Sequence, residues 1–311
     1  MVKIGSSDLD VSRLCVGANV FGWTADRDDS FAVLDAFVAA GGDFLDTSDS
    51  YMWRAPGNSG GESETIIGEW LAARGNRDGI VVATKVGSLP SRPGLSAKNI
   101  AAAVEDSLRR LQTDHIDLYW AHKDDPDTPQ EETLTAFDAL VRAGKVRAIG
   151  ASNFSADRLR SSLAISAREG LAAYVALQPH YNLMERVEFE STLAPVLAEH
   201  GLSCMPYYGL AKGFLTGKYR PGSPEVDSPR AEGARAYLDE RGLRVLAALD
   251  EVAATLDVPI AAVALSWLAA QPTVAAPLAS ARNVDQLNGL LPALTLELSA
   301  PQVEALSAAA R

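Results

Sequence analysis

The chain is predicted to be an α/β protein, a single closed (β/α)8 TIM barrel spanning residues 1–311. Two observations carry this. Short apolar runs recur eight times, each followed by a segment with helical spacing. No shift in composition marks a second domain, and 311 residues suit one large barrel. The alternative is an open doubly wound sheet, which needs a glycine fingerprint after its first strand. The chain has Val16-Gly17-Ala18-Asn19 there, not G-x-G-x-x-G.

Taken in order, Val2-Lys3-Ile4 and Leu9-Asp10-Val11 flank the turn Gly5-Ser6-Ser7-Asp8, a short N-terminal β-hairpin ahead of the barrel. The barrel runs are residues 14–16, 44–46, 80–86, 116–122, 146–152, 174–178, 202–207 and 274–279. Between the third and fourth, Ile100, Val104, Leu108 and Leu111 recur on one helical face. Leu134, Phe137 and Val141 do the same after the fourth. Ser155 stands as N-cap for a helix starting at Ala156, and Gly75, Gly144 and Gly170 stand as C-terminal stops. One connection breaks the rhythm. The seventh strand is followed by a long Gly/Pro-rich loop over 209–233, then by helical stretches at 243–256 and 260–270, with Pro259 in the first turn of the second. Loops of this length in a compact barrel are usually functional.

Composition narrows the function classes. A hydrophobic content of 47% and a charged content of 22% belong to a globular protein with a sizeable core. A formal charge of -12 argues against nucleic acid or an anionic membrane as a partner. The two cysteines, Cys15 and Cys204, sit in apolar runs and read as small core hydrophobes in a reduced compartment. Four dispersed histidines supply no metal-ligand spacing. With no leader pattern at the N-terminus and no long apolar run, the chain is expected to be soluble and cytoplasmic.

In such a barrel the C-terminal ends of all strands meet at one face. The second strand ends at Asp46, with Tyr51 in the polar loop beyond it. The third ends in Lys85, the fourth in His122, the fifth in Ser152-Asn153, and the sixth runs into Gln178-Pro179-His180. A free tyrosine titrates near pH ~10 and is a poor acid at neutral pH. A lysine ammonium against the phenol stabilises its anion, and an aspartate orients the lysine. A histidine can donate to a substrate carbonyl oxygen. Asp46, Tyr51, Lys85 and His122 thus read as a set that protonates an oxyanion while hydride arrives at carbon. Hydride requires a cofactor, because no side chain supplies one.

At these residues the sequence resembles the aldo-keto reductase family over nearly its whole length. The matching stretches are D-T-S-D-S-Y (46–51), G-G-E-S-E-T-I-I-G (60–68), A-T-K (83–85), D-L-Y-W-A-H (117–122), G-K-V-R-A-I-G-A-S-N-F (144–154), Q-P-H-Y-N-L (178–183) and G-F-L-T-G-K-Y (213–219). The resemblance implies a barrel that binds NADPH, with NADH less favoured, and reduces aldehydes, ketones or keto-sugars. It assigns Tyr51 as general acid, with Asp46, Lys85 and His122 completing the tetrad. It further implies that Ser152, Asn153 and Gln178 hold the nicotinamide carboxamide and that Tyr207 stacks on the ring. By the same resemblance Leu210, Lys212, Gly213 and Lys218 are expected to form the pyrophosphate belt. Ser280, Arg282 and Gln286 are expected at the adenosine 2'-phosphate end, with Arg282 bearing the NADP preference through guanidinium–phosphate geometry.

Two departures from the family pattern stand out: Tyr207-Tyr208-Gly209-Leu210 where Tyr-Ser-Pro-Leu is common, and Gly289-Leu290 where Glu-Asn is common. Trp23, Met52, Trp53, Arg54, Trp120 and Phe154 are expected around the tetrad, several as substrate wall. The alternative function is a non-catalytic or regulatory NADP(H)-binding barrel acting through a partner.

Overall fold

A computed structural model describes residues 1–311. Val2–Lys3 (β1) and Asp10–Val11 (β2) pair antiparallel as the expected hairpin. Its turn needs Gly5, whose φ of +50° is left-handed and where a Cβ would stand 2.2 Å from the Val175 carbonyl oxygen. The hairpin closes the bottom of the barrel, with Ile4, Leu9 and Val11 packed among the inward-facing side chains.

Eight parallel strands follow: Cys15–Gly17 (β3), Phe44–Asp46 (β4), Val81–Val86 (β5), Ile116–Ala121 (β6), Val146–Ser152 (β7), Tyr174–Gln178 (β8), Ser203–Cys204 (β9) and Leu278–Ala279 (β10). They lie in the order β10-β3-β4-β5-β6-β7-β8-β9. Cys204 bridges Val274, and the Leu278 amide donates to the Pro206 carbonyl at 2.9 Å, which closes β9 back onto β10. The last two strands are much shorter than the predicted runs 202–207 and 274–279. Pro206 and Pro277 have no amide to donate and interrupt both ladders, so only their carbonyls take part. The first strand sits one residue later than its predicted run.

The helices alternate with the strands. They are Arg27–Ala39 (α1), Glu62–Arg74 (α2), Ala97–Leu111 (α3), Gln130–Arg142 (α4) and Ala156–Glu169 (α5). Next, one π-helical turn over Phe189–Leu193 runs into Ala194–His200 (α6). Ser155 caps α5, accepting from the Arg158 amide, and Gly75 and Gly170 end their helices in the left-handed conformation.

The long connection holds Ala231–Arg235 (α7), Glu240–Leu256 (α8) and Ile260–Ala269 (α9). Pro259 is the N-cap of α9 rather than part of its first turn. Val284–Asn288 (α10) and Ala300–Ala309 (α11) complete the chain. No single helix is long and apolar enough to cross a membrane, and the α8–α9 pair is bent by 98°.

A large apolar cluster fills the layer between strands and helices; a smaller one, with Phe44, Leu118, Trp120 and Met205, fills the barrel itself. Both cysteines are free and fully buried.

Candidate active site

The C-terminal ends of the strands open into one cleft of about 630 Å³. Asp46 ends β4, and its side chain is 1% exposed, as is that of Lys85 near the end of β5. The Lys85 ammonium donates to Asp46 Oδ2, to the Thr47 carbonyl at 2.8 Å and to Tyr51 Oη at 2.6 Å. Tyr51 Oη in turn donates to Asp46 Oδ2 at 3.0 Å, and Gln178 Nε2 donates to Asp46 Oδ1 at 2.9 Å. The aspartate is thereby held at both oxygens. It lies behind the lysine, while Tyr51 reaches the cleft.

Burial, reinforced by the Asp46 charge, raises the Tyr51 phenol well above its ordinary range, so the phenol is kept protonated. Burial lowers Lys85, against the opposing pull of Asp46. His122 follows β6 and lines the cleft. Burial and then the charge of Lys85 lower its imidazole to about 3, so it is neutral across the working range. Its Nδ1 meets Ser48 Oγ at 3.1 Å and Ser50 Oγ at 3.3 Å.

Ser152, Asn153, Gln178 and Tyr207 line the same wall. Ser152 donates to the Gln178 carbonyl at 2.9 Å, and Asn153 donates to the His122 carbonyl at 2.9 Å. Tyr207 donates to Asn153 Oδ1 at 2.8 Å, and His180 stacks against Tyr207 with ring centroids 5.5 Å apart and planes at 11°. His180 therefore supports Tyr207 from behind and does not itself line the cleft.

Leu210, Lys212, Gly213, Lys218, Ser280, Arg282 and Gln286 line the remainder, together with Gly289 and Leu290. The stretch that carries the first of these has left-handed φ at Tyr208, Ala211 and Lys212 as well as at Gly213. Three non-glycine residues in that region are uncommon, and such conformations cluster at ligand sites.

Four cations, Lys212, Lys218, Arg230 and Arg282, face this end of the cleft. None is held by a carboxylate, whereas nearby Arg220 and Arg235 pair with Asp250 and Glu225. Burial and then the charges of Arg282 and Arg230 lower the Lys218 ammonium. Four cations without an ion-pair partner, against the single lining carboxylate Asp285, fit an elongated polyanion such as the expected dinucleotide.

Arg230 was not among the sequence candidates. Its only signal is a cation in the Gly/Pro-rich stretch 209–233. Ser48 and Ser50 carry no distinctive sequence signal either, although they flank Asp49 within the motif itself.

Of the four aromatics expected at the substrate wall, Trp23 lines the cleft. The other three stand elsewhere. Trp120 is fully buried inside the barrel, where absent side-chain atoms at Gly150 make room for its ring. The two-residue strand period aims Trp120 to the same side as His122, one layer lower, and a closed barrel fills that layer. Phe154 turns outward to the helix layer, edge-on to Tyr174 at 5.7 Å. Trp53 lies under the Arg54 guanidinium at 4.7 Å and does not line the cleft.

The model of the Aldo/keto reductase family matches residues 13–311. The chain is 36% identical over 304 residues to the uncharacterized oxidoreductase YrpG of Bacillus subtilis, covering 95% of this chain and 91% of that protein. It is 34% identical over 325 residues to Protein tas of Escherichia coli, covering 96% and 93%. It is also 33% identical over 312 residues to a probable voltage-gated potassium channel subunit beta of Oryza sativa, covering 97% and 93%.

Proposed function

The chain belongs to the aldo/keto reductase family, and from that premise we propose that it is an NADPH-dependent reductase of aldehydes and ketones, keto-sugars among them. The observation that carries the reading is Lys85 Nζ at 2.6 Å from the hydroxyl of Tyr51, at the edge of a cleft large enough for cofactor and substrate.

The nicotinamide, when bound, supplies the hydride. Tyr51 donates its phenolic proton to the carbonyl oxygen as negative charge develops there. The Lys85 ammonium stands against the phenolate left behind, and its own lowered pKa eases proton return to that oxygen. Asp46 acts through Lys85, fixing its position, and Gln178 fixes Asp46. Neutral His122 donates from Nε2 to the same carbonyl oxygen and sets its angle.

Ser152, Asn153 and Tyr207 would hold the nicotinamide, and Lys212, Lys218, Arg230 and Arg282 would hold its phosphates. Arg282 favours NADPH over NADH because a guanidinium matches phosphate geometry.

The similarity to a channel subunit supports a second reading, a cofactor-binding barrel that acts through a partner. The intact tetrad favours catalysis. Oxidation of NADPH with nitrobenzaldehyde and phenanthrenequinone separates the two. Wild type is expected to reduce at least one of them, and Tyr51→Phe to lose turnover by about 10²–10⁴-fold while still quenching on NADPH binding. Bound NADPH with no carbonyl reduced would favour the regulatory reading instead.

A further inference from the structure

Between Asp46 and Tyr51 the loop carries a second carboxyl, which the tetrad does not use. Asp49 is 1% exposed, and its Oδ2 has no hydrogen-bond partner. Its other oxygen, Oδ1, lies 3.4 Å from Ser48 Oγ. Ser48 Oγ is a hub. It accepts the Ser50 amide at 3.1 Å, and it stands 3.0 Å from Ser50 Oγ and 3.1 Å from His122 Nδ1.

A hydroxyl has one proton to give and two lone pairs with which to accept. One lone pair of Ser48 is committed to the Ser50 amide. The remaining proton and lone pair are shared among Asp49, His122 and the Ser50 hydroxyl, which also reaches Nδ1 at the longer distance of 3.3 Å.

Two arrangements connect Asp49 to the ring through Ser48, the nearer of the two serines to Nδ1. With Asp49 ionised, Ser48 donates to Oδ1 and accepts from Nδ1–H, which leaves Nε2 bare toward the cleft. With Asp49 protonated, the acid donates to Ser48, Ser48 donates to bare Nδ1, and Nε2 carries the hydrogen. The change from the first to the second takes up one proton at Nε2 from water in the cleft. The Nδ1 proton passes to Ser48, whose own proton passes to Asp49.

We propose that Asp49, acting through Ser48, determines which ring nitrogen of His122 carries its proton. Asp49 and Ser48 are then positioning residues: only the Nε2–H form can donate to a carbonyl oxygen. This consequence rests on the role given to His122 above, but the proton arrangement itself does not.

Asp49 is poised to change state in the working range. Burial and then the neighbouring Glu64 carboxylate raise it to about 7, opposed by Arg110, the Ser50 hydroxyl and Arg92. The other groups facing it are Lys85 and Tyr119, the latter with an unpartnered hydroxyl. His122 is faced by Lys85 and Lys123 and stays neutral, so only its tautomer is at issue.

The test is long-range proton–nitrogen correlation spectroscopy of the imidazoles in labelled, cofactor-free protein. Only four histidines contribute, and His122→Asn assigns the signals of interest. In wild type the His122 nitrogens are expected to pass from the Nε2–H to the Nδ1–H pattern between about pH 5 and pH 9. In Asp49→Asn and in Ser48→Ala that passage should vanish, with His122 still neutral. A wild-type pattern that stays constant, or a passage that persists in Ser48→Ala, overturns the proposal. Ser48→Ala removes one buried hydroxyl from the loop and keeps the measurement possible should Asp49→Asn fold poorly. Neither outcome depends on turnover, so failure here leaves the Tyr51–Lys85 chemistry to be judged by the NADPH assay alone.

Discussion

At the scale of single residues, the loop from Asp46 to Tyr51 concentrates buried charge, and its titration should be visible in stability. The Asp49 carboxyl titrates at 3.8 in an ordinary setting and at about 7 in the fold. Within that window the folded protein holds a proton that the unfolded chain has released. The stability this group contributes is therefore full below its unfolded value and is lost as pH rises through its folded value.

His122 has the opposite sign, 6.5 falling to about 3, so its contribution grows with pH across that lower window. It is common to wild type and to an Asp49 variant. Urea midpoints for Asp49→Asn should thus fall less than those of wild type between about pH 5 and pH 8. Parallel pH profiles would show that Asp49 does not titrate there. The tetrad residues were legible in sequence because a carboxylate, a lysine and a histidine at successive strand ends converge in any barrel. Ser48 and Ser50 were not, because a serine beside an aspartate has no distinctive pattern until its partner is known.

Among the elements, helices were legible and short strands less so. Periodic apolar positions and the Ser155 cap report local structure, whereas β9 and β10 are defined by what their neighbours can offer across two prolines. The α2–α3 contact brings the two backbones close together at Gly68. A Cβ on Gly68 would stand 2.1 Å from the Arg110 carbonyl oxygen and 2.7 Å from the Leu111 Cα. These are backbone atoms at the end of a helix and cannot swing aside.

Gly68→Ala is therefore expected to part the two helices and to cost about 1–3 kcal/mol, read as a lower urea midpoint at unchanged slope. Because Arg110 pairs with buried Glu64 at 2.6 Å, the shift should also disturb the floor beneath Asp49. An unchanged midpoint would mean that the helices slide apart freely.

For the molecule as a whole, charge is distributed against its own average. The surface is acidic, yet Lys212, Lys218, Arg230 and Arg282 share one end of the cleft without carboxylate partners. A polyanion that enters relieves their mutual repulsion and stabilises the fold by mass action. NADPH at 100 times its dissociation constant should add about 2.7 kcal/mol, seen as a rise in Tm. Arg282→Ala should shrink the rise caused by NADPH more than the rise caused by NADH. Equal losses for both cofactors would move the 2'-phosphate contact to another residue.

The amino-acid sequence by itself determined the alternation of strands and helices, the hairpin, and the residues available at each strand end. These follow from periodicity, caps and turn residues, which act over a few neighbours. Only the tertiary structure decided which aromatic side chains meet the cleft. Trp120 and Trp23 are both candidates for the substrate wall by sequence, but barrel closure buries one in a filled layer and leaves the other at the mouth. The same holds for Arg230 and Ser48. Their roles depend on groups far along the chain, Arg282 for one and His122 for the other, and distance in space is set by the closed barrel.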